Sequence, residues 1–148
     1  MATRPTKKVT FLRMARLLSE QSTCARRNVG VIMTDHNHRI VASGYNGNAK
    51  GLPHCINVNC AGAIHKSGSA LDLCEAIHAE QNALMQCNDI NRIHSVYCTT
   101  APCMHCLKML LNTNAQNIYF LDSYPNMHES ENMWIQSIRG RHWEQVKI

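Results

Sequence analysis

Val96-Tyr97-Cys98-Thr99-Thr100-Ala101-Pro102-Cys103-Met104-His105-Cys106 reads as a strand that ends in a short break and turns into a helix. Valine, tyrosine and threonine suit a pleated surface, and proline suits a helix start, where its missing amide costs no hydrogen bond. A strand is therefore expected over 96–99 and a helix over 103–112. Cys103 and Cys106 are three residues apart at that helix start, so both sulfurs face one side. The positive end of the helix dipole favours thiolates there. In an open α/β sheet this junction lies beyond the carboxyl end of a strand, where such folds build their sites.

Upstream, His78-Ala79-Glu80 falls in a second expected helix, 73–87. The two stretches together read H-x-E…P-C-x-x-C, with Pro102 twenty-two residues after Glu80. Zinc prefers nitrogen and sulfur in a tetrahedron, and His78, Cys103 and Cys106 supply three ligands while leaving a fourth position for water. Glu80 as a further ligand would close that position. Its expected role is catalytic: it carries a proton from the activated water to a ring nitrogen and then to a leaving amine. The arrangement is that of a zinc-dependent nucleobase deaminase. Singly, the cysteines could be a closed structural zinc or a redox pair, and His78 a core histidine. All four residues in this order, each in strand-and-helix context, outweigh those readings.

Outward from the motif the chain alternates in type. Residues 1–6 read as a disordered lead, 7–22 as an amphipathic helix, and 29–33 and 40–42 as antiparallel strands joined through Asp35-His36-Asn37-His38. Gly44-Tyr45-Asn46-Gly47 is expected to break the second strand. Beyond the 103–112 helix come a strand over 118–121, a helix over 128–139 stopped by Gly140, and an edge strand over 142–148. This order predicts an α/β fold, a three-layer sandwich around a mixed five-stranded sheet. The 148 residues are expected to form one deaminase domain with a Cys-rich insert at about 48–73.

The chain has no apolar run long enough to cross a bilayer, and its basic start lacks the apolar segment of an export signal, so a cytoplasmic protein is expected. Eight cysteines with nine histidines in a reducing compartment favour metal over disulfides. The net charge of +5 is concentrated at one end, where Arg4, Lys7, Lys8, Arg13, Arg16, Arg26 and Arg27 meet only Glu20. That suits a phosphate-bearing ligand. No basic stripe or aromatic stacking platform extends further, which argues against nucleic acid as a partner.

Nearly the whole chain, from about Leu12 onward, resembles the deoxycytidylate deaminases of the cytidine-deaminase-like superfamily. The resemblance rests on Ser22-Thr23-Cys24-Ala25-Arg26-Arg27-Asn28-Val29-Gly30, Ser43-Gly44-Tyr45-Asn46-Gly47, Cys74-Glu75-Ala76-Ile77-His78-Ala79-Glu80-Gln81-Asn82-Ala83 and Ala101-Pro102-Cys103. It implies hydrolytic deamination of dCMP to dUMP with release of ammonia, feeding thymidylate synthesis, in a homohexamer activated by dCTP and inhibited by dTTP. It implies a substrate site at Arg26, Arg27, Asn28, Asn46, Ala79 and Tyr124, with the arginines on the phosphate, Asn46 on the sugar and Tyr124 over the pocket. Asn46 could equally be a turn residue between glycines, and the arginines an exposed basic face.

Thirty-one residues separate Asn46 from His78, far more than in a tRNA adenosine deaminase. An irregular stretch of that length needs something to order it. Some deoxycytidylate deaminases hold a second, structural zinc at positions like Cys24 and Cys55, so Cys24, Cys55, Cys60 and Cys74 are expected as a closed Cys₄ site, with His54 and His65 as alternates. Buried apolar thiols are the plainer reading, as at Cys87 and Cys98. Deamination of dCTP, deamination of a tRNA adenosine and a non-enzymatic zinc scaffold remain as other functions. Glu80 argues against the scaffold, which has no use for it.

Overall fold

The computed structural model describes residues 2–138 and 140–148. Thr6 starts helix α1 (Lys7–Ser19) by accepting the Val9 amide on its hydroxyl. Strands β1 (Gly30–Thr34) and β2 (Ile40–Tyr45) follow as an antiparallel hairpin, and β3 (Gly47–Asn48) pairs with β4 (Ala76–Ile77) in a separate small sheet. Helix α2 (Ala79–Gln86) leads to β5 (Ser95–Thr100), α3 (Met104–Leu111), β6 (Asn117–Asp122), α4 (Met127–Ser137) and β7 (His142–Gln145). The main sheet has the order β2-β1-β5-β6-β7, antiparallel across its first three strands and parallel across its last three.

Alternation along the central strands makes the layers. Ile32, Tyr97 and Tyr119 point to one face and pack with Phe11, Leu12 and Ala15 of α1. Val31, Met33, Val96, Cys98, Ile118 and Phe120 point to the other, against Ala79 and Ala83 of α2, Leu107 and Leu110 of α3, and Trp134 of α4. The expected three-layer sandwich and mixed five-stranded sheet are both present.

Two expectations are corrected. Helix α2 begins at Ala79, not at 73: residues 76–77 are extended and bonded to β3, which takes the backbone groups a helix would need. Residues 71–73 form only a single 3₁₀ turn. Gly44 and Tyr45 do not break β2 but continue it. Gly44 serves close approach: a Cβ there would lie 2.4 Å from the Ala79 carbonyl and 2.7 Å from the Ala83 nitrogen, so its absence seats α2 on the sheet. The expected helix end at Arg139 lies outside the described residues.

Candidate active site and metal centre

Both motifs meet at the N-termini of two helices. Cys103 is the N-cap of α3 and Cys106 lies in its first turn. His78 is the N-cap of α2, where the Gln81 side chain accepts its backbone amide at 3.0 Å. The His78 Nδ1 atom lies 3.4 Å from Cys103 Sγ and 3.3 Å from Cys106 Sγ. These three are the only group of three or more histidine, cysteine or acidic donors drawn together among the described residues.

The donor set fits zinc. With Zn–S near 2.3 Å and Zn–N near 2.05 Å, tetrahedral angles place a nitrogen and a sulfur about 3.6 Å apart, close to the spacing observed. The proton count fits as well. The Cys103 thiol is drawn down to about 4, first by its hydrogen bond with Cys106 and then by His78. Cys106 is pushed up, first by the same bond and then by burial. A divalent cation at this point would hold both sulfurs as thiolates.

Glu80 lies within the first turn of α2 and is only 4% exposed. Desolvation is the main cause that lifts its carboxyl above the ordinary range, with the neighbouring His78 and Cys106 opposing. A buried carboxyl raised in this way suits the carrying of a proton between water and a bound base.

A cleft opens around this centre. His78, Ala79, Glu80 and Cys103 line its floor, and Arg26, Arg27, Asn46 and Tyr124 its walls. Arg27 donates to the Ser123 carbonyl at 3.3 Å, and its guanidinium lies 5.6 Å from the centre of the Tyr124 ring. The Tyr124 hydroxyl is pushed up to about 12, chiefly by burial, and so stays protonated.

Asn46 is buried with its amide engaged: Oδ1 accepts the Val29 amide at 2.8 Å and Nδ2 donates to the Arg27 carbonyl at 2.7 Å. It holds the arginine turn and leaves one N–H for a ligand. Asn28 is exposed and does not line the cleft.

The insert cysteines are gathered only in part. Cys55 and Cys60 are buried with their sulfurs 3.5 Å apart. Cys24 and Cys74 line the cleft instead, and the four do not converge on one point. Of the alternates, His65 and His54 are both exposed. Sequence reasoning missed one part of the wall: Ser67, Gly68 and Leu71, from the insert, reach the same cleft. No periodicity marks them.

The family described as cytidine and deoxycytidylate deaminase zinc-binding region matches residues 5–122. The chain belongs to this deaminase family. Its five-stranded sheet, three-donor centre and adjacent carboxyl are those of a zinc-binding deaminase domain. The deoxycytidylate deaminase of Saccharomyces cerevisiae is 30% identical over 86% of this chain, and ComE operon protein 2 of Bacillus subtilis is 30% identical over 93%. The chain spans 41% of the yeast enzyme's length and 70% of the Bacillus protein's. A dCMP deaminase from cyanophage S-TIM5, solved with dCMP and dUMP, superimposes with a TM-score of 0.74 at 27% identity, covering 98% of this chain and all of that one. No described helix is long and apolar enough to cross a membrane.

Proposed function

We propose that this protein hydrolyses dCMP to dUMP and ammonia. The observation that carries the reading is the meeting, in one cleft, of the His78–Cys103–Cys106 centre, the buried Glu80 and the Arg26–Arg27 turn. His78, Cys103 and Cys106 would hold a zinc, which when bound would make a water acidic enough to act as nucleophile at neutral pH. Glu80 would take one proton from that water and give it to N3 of the cytosine ring, then take the second from the hydroxyl added at C4 and give it to the departing 4-amino group. Water adds at C4, the C4–N bond breaks, and a carbonyl replaces the amine. Arg27, with Tyr124 beside it, meets the nucleotide phosphate at the cleft wall, and the free N–H of Asn46 meets the sugar. Asn28, exposed outside the lining, plays no part in this reading.

Ammonia release from dCMP, dCTP, deoxycytidine and a tRNA anticodon arm tests the reading, with dCTP and dTTP added as effectors. Turnover of dCMP well above the other three supports it, and preference for the tRNA arm would replace it. The same assay reads the switch by dCTP and dTTP, with gel filtration reading the hexamer that goes with it, and both belong to this proposal, as do a cytoplasmic location and a single deaminase domain over residues 1–148. In this reading Cys55 and Cys60 would anchor a second, structural zinc, and Cys24 and Cys74, which line the cleft, would have to draw in toward them to complete four ligands. The Cys55–Cys60 spacing supports it, because two sulfurs on one zinc lie about 3.8 Å apart. One zinc per chain by metal analysis would remove the second site.

A further inference from the structure

The three donors of the metal centre are not held alike. Cys103 and Cys106 both belong to the start of α3, where the Leu107 amide donates to the Cys103 carbonyl at 2.8 Å, so one helix places both sulfurs. His78 arrives from another segment. It follows β4, whose two residues pair with the two of β3, and it precedes Ala79, where α2 begins. A two-stranded pairing of this length is weak by itself. The ladder ends at Ile77, and α2 engages only the His78 carbonyl, which accepts the Asn82 amide at 2.9 Å. The His78 amide is left over from both.

Gln81 takes that amide. Its Oε1 accepts at 3.0 Å from one turn along α2, as in a capping box. With its carbonyl on Asn82 and its amide on Gln81, His78 is pinned on both sides, and the direction of its Cα–Cβ bond is fixed. That direction puts Nδ1 3.4 and 3.3 Å from the two sulfurs. Gln81 is half-buried and lies outside the lining of the substrate cleft; it lines a crevice with Leu71, Ala76, His78 and His105 instead.

We propose that Gln81 is a positioning residue for the metal: its side-chain carbonyl holds the His78 backbone, and through it the imidazole, where the three-donor set is complete. The effect is on retention of the metal. Without the acceptor, His78 turns more freely about φ and its ring leaves the sulfurs more often. A cation then held by two thiolates escapes faster. Groups that orient a metal's ligands from one step away commonly change its affinity by about 10- to 100-fold.

The inference rests on the zinc reading of this centre and not on the identity of the substrate. Zinc-loaded wild type, Gln81→Met, Gln81→Ala, Gln81→Glu and Met85→Gly are mixed with excess 4-(2-pyridylazo)resorcinol, and zinc release is followed by absorbance. The phase missing from Cys106→Ala belongs to this centre. Gln81→Met and Gln81→Ala remove the acceptor, whereas Gln81→Glu keeps it. Met85 is 66% exposed near the other end of α2, so Met85→Gly weakens the helix without touching its cap. Melting of the metal-free proteins measures that weakening in each variant.

Gln81→Met and Gln81→Ala should release zinc from this centre at least about tenfold faster than wild type, with Gln81→Glu and Met85→Gly within about twofold of it. Wild-type release in the acceptorless variants overturns the inference. So does release from Gln81→Glu or Met85→Gly as fast as from Gln81→Met, since the acceptor would then not be the cause. A wild type that holds no zinc here overturns it together with the zinc reading. A wild type that holds zinc but leaves dCMP intact removes only the deamination, and the release rates still decide Gln81.

Discussion

Glu80 is buried among a histidine and two thiols, so its carboxyl has no structural partner that a neutral isostere would fail to replace. Glu80→Gln keeps volume and hydrogen bonding but cannot carry a proton. We expect it to lower kcat by about 10³-fold or more, with zinc content and melting temperature held at wild-type values. Metal analysis beside the ammonia assay checks both halves. The four motif residues were legible in the sequence because metal chemistry dictates residue type and spacing. Asn46 was legible only as a cleft residue. That its amide is committed to the backbone of Arg27 and Val29 depends on two segments meeting in space.

Asp35 gives a second effect at the residue scale. Its Oδ1 accepts the amides of Asn37 and Arg39, and its Oδ2 pairs with Arg92 at 3.1 Å. These contacts, that with the Arg39 amide first, hold the carboxyl below its usual 3.8. A depressed carboxyl adds stability above the ordinary carboxylate range and loses it as pH falls through its folded value. Asp35→Asn should therefore melt lower than wild type at neutral pH, with the gap closing below about pH 4. Melting curves across that range check the sign.

Helix α2 is the element on which the site depends, and its position is set from below by Gly44. Gly44→Ala cannot be accommodated without lifting α2, since the obstacle at 2.4 Å is backbone. The expected cost is about 1–3 kcal/mol in stability by chemical denaturation. A fall in kcat should accompany it, because His78 and Glu80 ride on that helix. The sequence pattern located this helix but extended it six residues too far, through Leu73-Cys74-Glu75-Ala76-Ile77-His78, which are compatible with a helix by local propensity. Pairing of Ala76 and Ile77 with Gly47 and Asn48 overrode that preference. The same pairing makes His78 an N-cap, so its ring projects from the helix end toward α3.

At the scale of the molecule, Arg141 joins parts that the motifs leave unconnected. It is 6% exposed, and it donates to the carbonyls of Leu111, Thr113 and Ala115 and to the Ser137 hydroxyl, with its guanidinium 4.3 Å from the centre of the Trp134 ring. The end of α3, the turn into β6 and the end of α4 all close on this one side chain. Arg141→Met would fill the volume but leave buried carbonyls without donors, at a cost of about 3 kcal/mol. Denaturation should show that loss while the fully folded fraction keeps wild-type zinc content and kcat, since the motif lies at the other end of α3.

Local chemistry is written in the sequence: the alternation of strand faces, the helix start after Pro102, and a donor set that suits one kind of metal. Each of these is set by residue type over a few positions, so the sheet, the layers and the His78, Glu80, Cys103 and Cys106 constellation could be read directly. The tertiary structure decided where distant segments touch. It paired Cys55 with Cys60 while sending Cys24 and Cys74 to the cleft, left Asn28 outside, started α2 at Ala79, and brought the carbonyls of Lys66 and Ser69 to Arg26. Those contacts join residues far apart in the chain, and loops without periodicity reveal their partners only after the sheet has placed both ends.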